Sequence, residues 1–169
     1  MLIEKENFIS DDLCDFFVKY HNTNPYTFKH RNTETGYIYI IDCDTQSAKG
    51  DFAFKFLINK LNFFVDEILK NSFVDYAQIV KWPEGEWQEE HFDFQHQSLT
   101  SVLNLNDDYE GGETVVDDKI IKPKKGKIIL FNGTQTKHKV LPIRSGTRYT
   151  NATWYVNKTE EDIIKWVLI

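Results

Sequence analysis

Ser145-Gly146-Thr147-Arg148-Tyr149-Thr150-Asn151-Ala152-Thr153-Trp154-Tyr155 reads as a tight turn running into an apolar, aromatic strand. Such residues fit a pleated, half-buried surface. The stretch closes a series. From about Phe73 the chain predicts short strands at Tyr76–Trp82, Leu99–Asn106, Glu113–Val116, Lys127–Phe131, His138–Ile143 and Arg148–Val156. Turn signals separate them at Pro83-Glu84-Gly85, Gly111-Gly112, Lys125-Gly126, Asn132-Gly133 and Ser145-Gly146. Many short strands with even punctuation predict a sandwich or jelly roll.

Upstream the pattern is helical. Ser10 is placed to cap a helix carrying Leu13, Phe16, Phe17 and Tyr20 at helical spacing. A second helix is predicted from about Asp51 to Lys70, where Leu57, Leu61, Phe64, Val65 and Ile68 recur at intervals of three and four. Tyr37 to Ile41 between them reads as a strand, and a short closing helix is expected after Thr159 with Ile163, Ile164 and Val167 on one side. The expected architecture is mainly β with N-terminal helices, an α+β chain with a double-stranded β-helix core. One domain over 1–169 is expected: a helical support region at 1–72, a jelly-roll core at 73–156 and a helix at 157–169.

Composition narrows the partners. A length of 169 residues suits one domain with one substantial core. A net charge of −6 and only short lysine groups, such as Lys122 to Lys127, argue against a nucleic-acid reader. No apolar run approaches the ~20 residues of a membrane helix, and the first residues show no secretory h-region. Cys14 and Cys43 form neither a CxxC site nor a disulfide framework. A cytoplasmic location is the expectation.

The chemistry starts at His91-Phe92-Asp93. Alternation along a strand points an imidazole and a carboxylate the same way, with Phe92 pointing elsewhere. His138 opens a later strand. Two histidines and one carboxylate are the set that binds non-haem iron(II) on one face and leaves the other face open. Coordination needs neutral imidazoles, so binding should weaken in acid. Arg148 lies ten residues after His138 (148 − 138 = 10). A guanidinium there suits the distal carboxylate of a chelating cosubstrate such as 2-oxoglutarate, in two-point geometry.

The ordered set of residues resembles the prolyl 4-hydroxylase-like branch of the 2-oxoglutarate/iron(II) oxygenases. It comprises His91-Phe92-Asp93, Leu105-Asn106-Asp107-Asp108-Tyr109-Glu110-Gly111-Gly112-Glu113-Thr114, Pro123-Lys124-Lys125-Gly126, His138, and Gly146-Thr147-Arg148-Tyr149 followed by Trp154-Tyr155. The resemblance covers Ile79 to Tyr155. It implies a jelly-roll dioxygenase with His91, Asp93 and His138 as iron ligands, Arg148 as the 2-oxoglutarate anchor and Trp154 near the substrate. It also implies ascorbate as reductant, with dioxygen and a prolyl residue of a peptide or protein as substrates. Asn104 and Trp82 stand where relatives often carry tyrosines, and both are expected near the cosubstrate.

Three other readings are open. The substrate could be a free amino acid or other small molecule. Thr150 and Trp154 depart from the pattern of nucleic-acid demethylases, which ranks that reading low. The domain could also be a non-catalytic metal-binding jelly roll, which a complete ligand set and anchor cation disfavour. His21, His30 and His96 read as ordinary core or surface histidines, and Gly111-Gly112 as a turn.

Overall fold

The computed structural model describes residues 1–158. The expected closing helix lies outside them. In chain order the elements begin with β1 (Leu2–Lys5), α1 (Asp11–Thr23), β2 (Phe28–Arg31), β3 (Tyr37–Asp42), α2 (Cys43–Ala48) and α3 (Phe52–Ile68). There follow β4 (Ser72–Trp82), β5 (Gln88–His91), β6 (Leu99–Asn104), β7 (Glu110–Gly111), β8 (Thr114–Val116) and β9 (Lys119–Ile121). The last are β10 (Ile128–Phe131), β11 (His138–Val140), β12 (Ile143–Ser145) and β13 (Arg148–Asn157).

Both expected N-terminal helices form where their caps place them. The Ser10 hydroxyl accepts from Leu13 N at 3.4 Å, with Asp11 and Asp12 in the first turn. The Asp51 carboxylate accepts from Phe54 N at 2.8 Å and starts α3. The stripe Phe54, Leu57, Leu61, Phe64 and Val65 is buried.

Strands assemble into a seven-stranded sheet ordered β1-β10-β6-β13-β4-β3-β2, and a four-stranded sheet ordered β5-β11-β8-β9. A β12-β7 pair completes the set, and every pairing is antiparallel. This is a jelly-roll core, as the strand spacing predicts.

The large sheet has two different faces. Ala77, Ile79, Leu103, Tyr149 and Tyr155 join Phe17 of α1 and Leu57 and Leu61 of α3 in one core. Their neighbours Gln78, Trp82, Val102, Thr150, Ala152 and Trp154 line a cavity on the other face. Period-two alternation therefore splits each central strand between core and cavity.

Two expectations need correction. The segment 1–72 is not a helical support alone. β1, β2 and β3 belong to the large sheet, and β1 pairs with β10 more than a hundred residues on, as in Leu2 with Phe131. Such a short strand carries no local signal, because its partner is supplied by a distant segment. The expected strand His138–Ile143 is two strands, β11 and β12, in different sheets. Pro142 lies at the break, and proline has no N–H to continue a ladder.

Candidate metal and cosubstrate site

His91 ends β5 and His138 begins β11, and the two residues pair directly across the small sheet. Their ring centroids are 4.2 Å apart. Asp93 lies just beyond β5, held by its backbone N–H donating to the Gly133 carbonyl at 3.0 Å. Its Oδ1 lies 3.5 Å from His138 Nε2 and 4.0 Å from His91 Nε2. One candidate ligand atom from each residue falls within 4.8 Å of the others. The His91-Phe92-Asp93 alternation predicts one continuous strand with Phe92 turned away. The strand stops instead at His91, and Phe92 lines the cavity, 49% exposed.

The hydrogen bonds fix the imidazole tautomers. His91 Nδ1 lies 2.8 Å from the Glu89 carbonyl, and His138 Nδ1 lies 3.0 Å from the Thr136 carbonyl. A carbonyl only accepts, so each Nδ1 carries the proton and each Nε2 presents a lone pair. These are the outer partners that orient metal-binding histidines. Burial pushes the Asp93 carboxyl up, but the neighbouring His138 ring, with hydrogen bonding from Thr100 and Trp154, outweighs it and holds the group below the usual carboxylate range. An ionised carboxylate facing two imidazole lone pairs fits a divalent cation.

Glycine at 133 is a steric requirement. A Cβ there would overlap the Asp93 carboxylate and the Thr100 hydroxyl, which themselves hydrogen-bond. In the sequence Asn132-Gly133 signals only a turn. Gly133→Ala should displace Asp93 and weaken metal binding by about ten- to hundredfold, the usual cost of disturbing a ligand's support. A metal titration of the two proteins checks this, and unchanged affinity would show that the close approach does not matter.

Arg148 is 1% exposed and opens β13 opposite Trp82. Nη2 donates to Thr114 Oγ1 at 3.1 Å, and the guanidinium carbon lies 5.3 Å from the Trp82 ring centroid. Nε has no partner. Among the described residues no carboxylate lies within ion-pairing distance of it. Burial lowers its pKa from the ordinary arginine value, opposed by the neighbouring Tyr109. A buried cation without a counter-charge is costly unless a ligand supplies one. This group therefore fits the distal carboxylate of a bound diacid.

One cavity of about 770 Å³ joins these parts. Arg148, Thr114, Thr150 and Trp82 line one end, and His91, Asp93, His138 and Trp154 line it further along. Trp82 Nε1 donates to Thr150 Oγ1 at 3.2 Å. Trp154 packs against Tyr76, with centroids 5.8 Å apart. Asn104 is not brought in. It is buried beside Thr150, but its amide donates to the Lys127 carbonyl at 3.4 Å and does not line the cavity. Thr100, Thr114, Tyr109 and Gly133 were missed as site residues, because each acts through a neighbour distant in sequence. His30 and His96 line the cavity outside the ligand set, while His21 is buried with Nε2 at the Tyr39 carbonyl.

Residues 77–156 match the family model of the 2OG-Fe(II) oxygenase superfamily. A PKHD-type hydroxylase of Pseudomonas paraeruginosa is 37% identical over 70 residues, covering 38% of this chain and 30% of the relative. The match thus spans about a third of that relative's length. Among solved structures, a prolyl hydroxylase of Trichoplax adhaerens in complex with a hypoxia inducible factor peptide aligns with a TM-score of 0.73. It is 16% identical, over 99% of this chain and 86% of that one. The alpha ketoglutarate dependent epimerase SnoN, from nogalamycin biosynthesis, aligns with a TM-score of 0.76 at 10% identity, over 94% and 79% of the chains. At these identities the structural likeness establishes the fold.

Proposed function

We propose that this chain, whose residues 77–156 match the 2OG-Fe(II) oxygenase superfamily, is an iron(II)- and 2-oxoglutarate-dependent dioxygenase working as one domain. The observation carrying the reading is an open three-ligand set and an uncompensated buried cation in the same cavity. A structural metal site would close its fourth position with protein. Here only three candidate ligands converge among the described residues. A non-catalytic jelly roll would have no use for a buried arginine aimed at a diacid.

His91 and His138 would hold the iron through Nε2, and Asp93 through its carboxylate. Arg148 would take the distal carboxylate of 2-oxoglutarate, with Thr114 fixing the guanidinium plane. Trp82 packs against that guanidinium and keeps water from the inner end. Iron(II) with 2-oxoglutarate, when bound, supplies the oxidation of an unactivated C–H bond by dioxygen, with succinate and carbon dioxide as coproducts. The protein's part is to set that geometry and to hold the target carbon beside the open face of the triad.

The proposed target is a prolyl residue of a peptide or protein. Support comes from the hydroxylase relative and from the likeness to a peptide-bound prolyl hydroxylase. The aromatic mouth formed by Tyr76, Phe92, Phe94 and Trp154 suits an apolar ring. The test is succinate release with iron(II), 2-oxoglutarate, ascorbate and capped prolyl peptides. Peptide-dependent release above the peptide-free background is expected, and its absence across the panel would overturn the prolyl reading. Among the described residues no helix is long and apolar enough to cross a membrane.

A further inference from the structure

Two cavity-lining residues carry a buried polar atom with no partner: Arg148, through Nε, and Gln97, through Oε1. The cosubstrate carboxylate answers the first. Nothing yet described answers the second. Gln97 is 7% exposed, and an unsatisfied buried carbonyl destabilises a fold unless a ligand donates to it.

The two orphans sit at opposite ends of β13. Gln97 precedes Ser98, whose N–H donates to the Tyr155 carbonyl at 2.7 Å. Arg148 lies six residues before Trp154, about 20 Å away along an extended strand. The triad lies between them, since Thr100 both pairs with Trp154 and hydrogen-bonds Asp93. A ligand reaching Gln97 therefore approaches the metal from the side away from the cosubstrate anchor.

The surroundings define what Gln97 would bind. Tyr76 and Trp154 form a neutral aromatic wall. The Phe94 ring stacks on His96 at 6.0 Å, and His96 Nε2 lies 3.3 Å from Asp75 Oδ2. Asp93 belongs to the proposed metal set. Asp75, and Asp42 at the Tyr76 hydroxyl, also lie near this end, but neither carboxylate lines the cavity, so neither faces a bound ammonium group. The carbonyl therefore favours an uncharged N–H between apolar surfaces.

We propose that Gln97 is a specificity-determining residue that accepts a hydrogen bond from a backbone amide N–H of a peptide substrate. The peptide's reacting residue would then pass Trp154 to reach the triad. This deepens the oxygenase reading and rests on it for the fate of the peptide, but its binding test needs no turnover.

The probe is a capped Ala-Pro-Gly-Ala peptide. It is compared with depsipeptides in which an ester oxygen replaces the N–H of the first alanine or of the glycine. Calorimetry is run on protein loaded with zinc, which does no redox chemistry, and 2-oxoglutarate. In the wild type, one ester replacement should weaken binding about tenfold, the loss of one buried hydrogen bond. Gln97→Met, close in shape but without the acceptor, should bind that amide and ester equally. The wild-type comparison stands alone if the variant does not fold. Equal wild-type affinity for amide and esters would overturn the proposal. So would failure of the peptide to bind, an amide preference that survives in Gln97→Met, or free proline binding as tightly as the peptide. Succinate release from the same peptides on the iron-loaded protein reports separately. Amide-selective binding without succinate keeps the Gln97 assignment and removes the prolyl target.

Discussion

Arg148→Met is expected to lower 2-oxoglutarate affinity by about a hundredfold or more while leaving the cosubstrate-free protein as stable as before, or more so. The two effects share one cause. The guanidinium is 1% exposed with one neutral hydrogen bond, to Thr114, and no carboxylate partner among the described residues. Without cosubstrate it is a desolvated charge with nothing to balance it. Replacing buried charges by apolar groups of similar volume is often neutral or stabilising. With cosubstrate, the same group would make a charge-assisted pair, and truncating one member of such a buried pair costs about 2–5 kcal/mol. Denaturant midpoints with and without 2-oxoglutarate, beside a binding titration, measure both arms. A variant destabilised by several kcal/mol with unchanged 2-oxoglutarate affinity would make Arg148 a structural residue and remove the anchor assignment.

The second large effect is Asp93→Ala, which should abolish metal retention and coupled turnover. Asp93 supplies the only carboxylate of the triad, and both imidazoles face it. Neutral histidines alone leave a dication without a counter-charge and with two ligands. The loss should exceed the ten- to hundredfold expected when a ligand's outer support is disturbed. Metal content after gel filtration, together with succinate release, gives the answer. Stoichiometric iron in Asp93→Ala would end the triad assignment. The large sheet should survive, because Asp93 lies beyond β5 and takes no part in its pairings.

His91, Asp93 and Arg148 could be singled out as candidates in sequence because the signals that mark them are local. His91 and Asp93 are two residues apart, and Arg148 follows a turn that fixes where its strand begins. The helices were legible for the same reason, through Ser10 and Asp51 at their starts. What stayed hidden depends on segments far apart in the chain. β1 becomes a strand only because β10 is there to pair with it. Gly133 matters only because the Asp93 carboxylate folds back against it. Asn104 shows the reverse error. It sits on the expected strand, but its amide turns to the Lys127 carbonyl, a partner set by sheet order that sequence spacing does not reveal. Gln97 offered no motif, and its interest lies entirely in being buried without a donor.

The division of β13 between two faces has a consequence for how such a protein changes over evolutionary time. Arg148, Thr150, Ala152 and Trp154 face the cavity, while Tyr149 and Tyr155 face the helices. The strand acts as a ruler, with graduations of roughly 7 Å per pair of residues between the buried arginine, the histidine–aspartate cluster and the mouth. Inserting or deleting one residue within it would exchange the two rows, sending tyrosines into the cavity and the arginine under α1 and α3. New specificities must therefore arise by exchanging side chains on fixed graduations, or by remodelling the loops beyond the ruler's ends.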